Sequence, residues 1–251
     1  MMEFNIDILH NLLKAFGLSI LLLLIGLFIT LALTAKHKSP DLPIMRFACI
    51  FSNAAYMGFP LIQALFGSEG LLYASAFVTV YNILLWTAGY GIVSKKVRAK
   101  EVLRTIFTNP VLISVVAGLL IYLCQIPVPD IIKQPVSLVG NMNTPLSMFI
   151  TGMIIAGSDV KGLVYNKNIW YIILVRQLVI PAVCFGVFSL FHVTGMAAQV
   201  VLLLEACPSA AITSVFAVQF GYDENLAAGA VVITTFFSIL TLPVCAMLLT
   251  A

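Results

Sequence analysis

Apolar residues in this chain do not alternate with polar ones; they gather in blocks of about twenty, separated by short polar or Gly- and Pro-bearing connections. A block of that length crosses a hydrocarbon core of about 30 Å as an α-helix, whereas a half-buried strand would repeat every two residues. Eight blocks are legible, at about 16–35, 44–66, 71–93, 108–125, 136–157, 169–191, 197–220 and 226–250. They predict an all-α, polytopic membrane protein with eight transmembrane helices, embedded in a lipid bilayer and without a soluble domain.

Composition agrees. Of 251 residues 61% are hydrophobic and 9% charged, and the mean hydropathy of +1.09 excludes a soluble globular domain and a disordered chain alike. The five cysteines, at 49, 124, 184, 207 and 245, lie inside or at the ends of the blocks with no Cys-x-x-Cys spacing. Neither a disulfide framework nor a metal site is expected from them. The first block runs from Ala15 to Ala35, long for a secretory signal.

Basic residues then orient the helices. Lys36, Lys38, Arg46, Lys95, Lys96, Arg98, Lys100, Arg104, Lys161 and Lys167 fall in connections on one side, against Lys14 and Lys133 on the other. The positive-inside rule predicts a multi-pass protein of the cell membrane with both termini extracytoplasmic. The net charge of +3 therefore describes topology, and no nucleic-acid partner is expected.

Two ionisable residues sit deep in apolar blocks. Glu205 lies in Leu203-Leu204-Glu205-Ala206-Cys207-Pro208-Ser209-Ala210, beside a helix-breaking proline. A charge at mid-membrane costs at least roughly 2.5–3.5 kcal/mol on insertion scales, so Glu205 needs a partner, a proton or water. Three roles are open to it: proton coupling, direct contact with substrate or a cation, and a structural bond to freed backbone. Arg176 is the one embedded base. It is a candidate charge partner for Glu205 or for substrate, or it snorkels to the headgroups from about seven residues inside its helix.

The chain also repeats itself. Ser52-Asn53-Ala54-Ala55-Tyr56-Met57-Gly58-Phe59-Pro60 followed by Phe66-Gly67-Ser68-Glu69 parallels Glu205-Ala206-Cys207-Pro208-Ser209 followed by Phe220-Gly221-Tyr222-Asp223, at an offset of 154 residues. Five helices separate the copies, an odd number, so they lie upside down relative to one another. The division expected is a first inverted repeat over 1–100, with three helices, and a second over 101–251, with five. The fourth and fifth blocks have no amino-terminal counterparts. Either the chain begins at an internal methionine of a longer protein or it is a naturally short form.

The segment Ser52–Leu61 with Leu65-Phe66-Gly67 resembles the N-x-G-[FY]-[ML]-G-x-P segment of the auxin efflux carrier family, whose bacterial members include malate permeases. Ala206-Cys207-Pro208-Ser209-Ala210-Ala211 is similar to that family's A-C-P-x-A-A segment, and Thr235–Pro243 resembles its last helix. The resemblance runs from about residue 16 to the end; it departs at Ala55, where glycine is more usual, and at the start, where two scaffold helices are lacking. It implies a five-plus-five inverted-repeat fold with two broken crossover helices, of the bile-acid-symporter and auxin-carrier kind. It also implies that Asn53 and Asn82 help form a substrate pocket, together with the motif residues Gly58, Pro60, Cys207, Pro208 and Ser209.

From the residues themselves, the stretches after Pro60 and Pro208 are each expected to begin a new half-helix, whose free N–H groups and positive dipole end favour an anion. Asn141-Met142-Asn143-Thr144-Pro145 is read as a further polar break, made either for substrate contact or for helix packing.

These features and the resemblance together point to a secondary carrier of small organic anions, such as malate or related carboxylates, coupled to protons and working by elevator-type alternating access; an aromatic carboxylate such as an auxin-like indole acid is an equal candidate substrate. The alternatives are an anion channel, a sodium-coupled organic-anion symporter, and an inactive truncated form. An enzyme is not expected, since His10, His37 and His192 lie at helix ends and neither G-x-S-x-G nor H-E-x-x-H occurs. Nor is a cofactor or a metal site, and a homodimer is left open.

Overall fold

The computed structural model describes residues 6–94, 107–157, 163 and 165–250. Lys95, Lys96, Arg98, Lys100, Arg104 and Lys161, on which much of the orientation rests, lie outside the described residues, as does the expected boundary between 100 and 101.

The described residues are helical nearly throughout, because apolar backbone without water must satisfy its N–H and C=O groups within each segment. The first helix, α1 (Ile6–Leu33), starts well before the expected residue 16. Apolar residues continue through its first turns, and Leu12, Ala15, Ser19, Leu22, Leu23, Gly26 and Thr30 form its buried stripe at spacings of three and four. Several hydroxyls within the spans donate to the preceding turn, as Ser19 Oγ does to Ala15 O at 2.6 Å.

After α1 come α2 (Leu42–Ile50), a π-helical turn (Ala54–Gly58) and α3 (Phe59–Leu84). Gly67 breaks α3 into two rods at φ 61° and ψ −149°, a conformation open to glycine. Gly70 lies so close to Phe66 and Ile62 that an added Cβ would collide with them. A second π-helical turn (Leu85–Gly89) leads into α4 (Tyr90–Ser94).

Next are α5 (Pro110–Leu123), capped by Asn109 Oδ1 accepting from Val111 N–H at 2.9 Å, then α6 (Asp130–Asn141) and α7 (Asn143–Ala156). The polar break expected at 141–145 is only a junction. Met142 keeps a right-handed helical conformation (φ −71°, ψ −14°), and Leu146 N–H reaches Met142 O at 3.0 Å, so Pro145 stands in a first turn that needs no donor from it. The chain closes with α8 (Lys167–Ile173), a third π-helical turn (Leu174–Val179), α9 (Ile180–Leu190), α10 (Met196–Ala206), α11 (Ile212–Phe220) and α12 (Glu224–Thr250).

Among the described residues, five helical stretches are long and apolar enough to cross a membrane unaided: Ile6–Leu33, Ala54–Ser94, Asp130–Ala156, Lys167–Leu190 and Glu224–Leu249. This is an all-α, multi-pass membrane protein.

Core and periphery differ sharply. α10 packs against α1, α3 and α12, and each of its residues from Val200 to Ala206 is buried. α2, equally buried, lies against α1, α8, α11 and α12. By contrast α6 has no buried residue, and α5 and α7 expose Ile113, Val116, Leu120, Phe149 and Met153, as helices facing acyl chains do.

Contacts between helix ends show which ends share a side. Asp41 Oδ1 accepts from Asp223 N–H at 3.0 Å, Tyr222 OH donates to Val93 O at 2.7 Å, and His37 stacks on Tyr171. At the other side Lys14 Nζ donates to Thr194 O at 2.8 Å and Gln199 Nε2 to Leu249 O at 2.8 Å.

Candidate functional site at a crossing of broken helices

Two buried helices stop inside the protein and restart after a short extended stretch. α2 gives way at Phe51 (φ −98°, ψ 120°), and α10 at Cys207 (φ −58°, ψ 154°). Extended backbone in an apolar interior leaves donors and acceptors unmet, and here the two stretches meet each other's needs. They run antiparallel, with Asn53 N–H donating to Pro208 O at 2.7 Å, Ala210 N–H donating to Phe51 O at 2.9 Å, and Ser52 opposite Ser209. Pro208 fits because the pairing uses its carbonyl and needs no N–H.

The first break is therefore not where the proline suggested. It lies at Phe51–Asn53, upstream of Pro60, and Pro60 stands within the continuous helical stretch Ala54–Ser94, directly behind the Ala54–Gly58 turn. The π-helical turn before it has Gly58 N–H bonded to Asn53 O at 3.2 Å, a wider spacing that leads the helix into the proline. At the second break the expectation and the structure coincide, with α11 starting at Ile212 just beyond Pro208.

Four helix ends meet at this crossing. The carboxyl ends of α2 and α10 bring partial negative charge, and the amino ends of the Ala54–Gly58 turn and of α11 bring partial positive charge. Arg176 sits at the negative ends. Its Nη1 lies 3.0 Å from Glu205 Oε1, and both side chains are fully buried. Nη1 also donates to Cys49 O and Ile50 O, each at 3.2 Å, Nε donates to Cys207 O at 3.1 Å, and Nη2 donates to Glu205 O. Snorkelling is thereby ruled out for Arg176 in this conformation. Its place in the π-helical turn Leu174–Val179, where the helix is locally widened, accompanies an inward-facing guanidinium with acceptors on two helices.

Glu205 also touches α1. A Cβ at Gly26 would come within 3.2 Å of Glu205 Oε1, so glycine there leaves room for the carboxylate. Gly58 does the same for the backbone crossing: an added Cβ would collide with Leu204 and lie 3.4 Å from Cys207 Sγ.

The family model for membrane transport proteins matches residues 2–246. The chain belongs to this family, that of the auxin efflux carriers. An uncharacterized transporter of Methanocaldococcus jannaschii is 27% identical over 214 residues, covering 82% of this chain and 68% of the relative. An uncharacterized transporter of Methanothermobacter thermautotrophicus is 22% identical over 204 residues, covering 80% and 66%. The chain thus spans about two thirds of the length of these relatives. Family and relatives alike mark it as a membrane transporter.

Within this transporter, Asn53, Gly58, Glu205, Cys207, Pro208, Ser209 and Arg176 gather at the crossing. Ser209 is held twice, its N–H donating to Thr234 Oγ1 at 3.0 Å and its Oγ to Ala48 O at 2.9 Å. The Cys207 thiol donates to Leu203 O of its own helix. Asn82 is half-buried, and its Nδ2 is turned onto Val78 O at 2.8 Å, a bond within its own helix. Thr234 and Gln177 were not foreseen. Gln177 Nε2 donates to Thr234 O at 3.0 Å, and Thr241 Oγ1 donates to Gln177 Oε1 at 3.1 Å. The available signal was a polar pair next to each other mid-span, Arg176-Gln177 and Thr234-Thr235.

Several buried polar atoms near the two amino ends have no hydrogen-bond partner among the described residues: Ser52 Oγ, Asn53 Nδ2, Thr213 Oγ1 and Ser214 Oγ, with Glu205 Oε2 at the ion pair. Buried polar atoms are usually satisfied, so a cluster of open ones marks a place prepared for water or a polar ligand.

Proposed function

We propose that this chain is a secondary carrier of small organic anions, malate or related carboxylates, moving them across the cell membrane in symport with a proton. The observation that carries the reading is the crossing itself, where open donors and two helix amino ends lie beside a buried Arg176–Glu205 pair. Amino ends and free amide donors suit a carboxylate. Substrate would be held by Asn53, with Ser52 and the backbone around Gly58 and Pro60 on one side, and by the Cys207–Ser209 stretch on the other. Asn82 would line the approach.

Glu205 supplies the coupling. Oε1 is bonded to Arg176 while Oε2 has no partner among the described residues, so a proton added at Oε2 leaves the guanidinium in place and makes the pair net positive. An anion then binds more tightly, and proton and anion travel together. A cycle of this kind needs the crossing to reach both sides. The peripheral α5–α7 suit a static frame against which the buried crossing unit slides in an elevator movement, and an upside-down relation between 1–100 and 101–251 supports two equivalent end states. Both termini then face outward.

Uptake of labelled malate into vesicles carrying the chain should rise as the outside is made acidic. Glu205→Gln should transport without that dependence, and a wild-type pH response in the variant would remove Glu205 from the coupling.

A further inference from the structure

Broken-helix carriers commonly hold a dissociable cation on unwound carbonyls and half-helix carboxyl ends. This chain has such a cradle. Three acceptors, Cys49 O, Ile50 O and Glu205 Oε1, meet within 3.2 Å of one point at the carboxyl ends of α2 and α10, and the carbonyl oxygens of Glu205 and Cys207 flank it. What stands at that point is the chain's own Arg176, with no solvent exposure.

A guanidinium suits the position better than a spherical ion would. Its planar fork carries five N–H donors, enough to reach two helix ends and a carboxylate at once. α8 and its π-helical turn supply it from outside the crossing, so that it fastens α2 to α10 while belonging to neither. It also balances the two dipole ends and the Glu205 carboxylate without needing an ion from solution.

We propose that Arg176 is a tethered cation, occupying permanently the carbonyl cradle that a dissociable sodium ion would otherwise fill, so that the crossing is assembled without sodium. Two consequences follow. The intact chain neither binds sodium at the crossing nor depends on it for transport, and removal of the side chain opens a vacancy that a small free cation can enter. The second consequence is independent of the carrier reading above; the first rests on that reading only where transport is concerned.

Thermal unfolding of the purified 251-residue chain in detergent tests this without any substrate. The wild type should unfold at the same temperature in sodium chloride and in choline chloride of equal ionic strength. Arg176→Ala should unfold lower, and millimolar guanidinium or sodium, but not choline, should raise its midpoint by about 3–5 °C at ten times the ion's Kd. Sodium-specific stabilisation of the wild type overturns the proposal, and so does a folded Arg176→Ala variant that answers to neither cation. Should that variant not fold, the wild-type comparison decides alone: a sodium-specific shift refutes the tethered cation and its absence supports it. In vesicles, replacing sodium by choline should leave malate uptake unchanged. Absence of malate uptake in either salt would count against the substrate assigned above and not against the tethered cation.

Discussion

The two breaks at the crossing are built unlike one another. Arg176 donates to carbonyls at both, Cys49 and Ile50 beside the first and Glu205 and Cys207 at the second, but the second, at Cys207–Ala211, is also tied through Ser209, whose N–H donates to Thr234 Oγ1 and whose Oγ donates to Ala48 O. The first, at Phe51–Asn53, has its main chain bonded to the other break, while Ser52 Oγ and Asn53 Nδ2 have no partner among the described residues. Within the extended stretches themselves, the second break is tied down at Ser209 and the first holds open groups at Ser52 and Asn53. A binding site needs both, a rigid wall for position and unsatisfied groups for affinity.

Arg176, the brace that joins the two breaks, should be the costliest side chain to remove. Arg176→Met leaves a buried carboxylate and four carbonyls without their donor, and breaking a buried pair from one side costs about 3–5 kcal/mol. The unfolding midpoint should fall by roughly 10 °C, and Arg176→Met/Glu205→Gln should recover part of that loss because the stranded charge is gone. A double variant no more stable than Arg176→Met would mean that the pair itself is not what joins the breaks.

Smaller effects separate the close approach from the hydrogen bonds. Gly58→Val puts side-chain atoms where Leu204 and Cys207 already are, and overpacking of this kind costs about 1–3 kcal/mol. Thermal unfolding should show that loss, and a neutral result would mean that the π-helical turn can move away from α10.

The finest contrast is between the two opposed serines. Ser209→Ala removes the bond to Ala48 O and should destabilise by about 1 kcal/mol, whereas Ser52→Ala removes a buried hydroxyl without a partner and should be neutral or slightly stabilising. Equal losses in the two variants, read from unfolding midpoints, would erase the distinction between tied and open side.

The membrane class was legible because block length is set by bilayer thickness, a constraint that acts on composition alone. The second break was legible too, since Pro208 coincides with it. The first was misplaced because proline marks a missing N–H and not necessarily a missing turn: Pro60 follows a π-helical turn in a helix that continues through it, while Phe51–Asn53 has no breaker of its own. That stretch is extended because Pro208 and Ala210 offer it partners from residues more than 150 positions away. Arg176 illustrates the same limit. Its depth in a span was visible, but which way it faced depended on a π-helical turn and on acceptors from two other helices. Thr234 and Gln177, polar residues in apolar spans, carried a signal that proximity alone converts into a role.

Disulfide trapping between the two breaks tests the crossing most directly. Ser52 and Ser209 face each other as a non-hydrogen-bonded antiparallel pair, for which Cα atoms lie about 4.5 Å apart, within reach of a disulfide. Ser52→Cys/Ser209→Cys in a background without the native cysteines should cross-link in membranes under mild oxidation, as read by mass spectrometry of the linked peptides. Failure to form that link, with both thiols present and a control pair between α1 and α3 joining readily, would contradict the meeting of the two breaks.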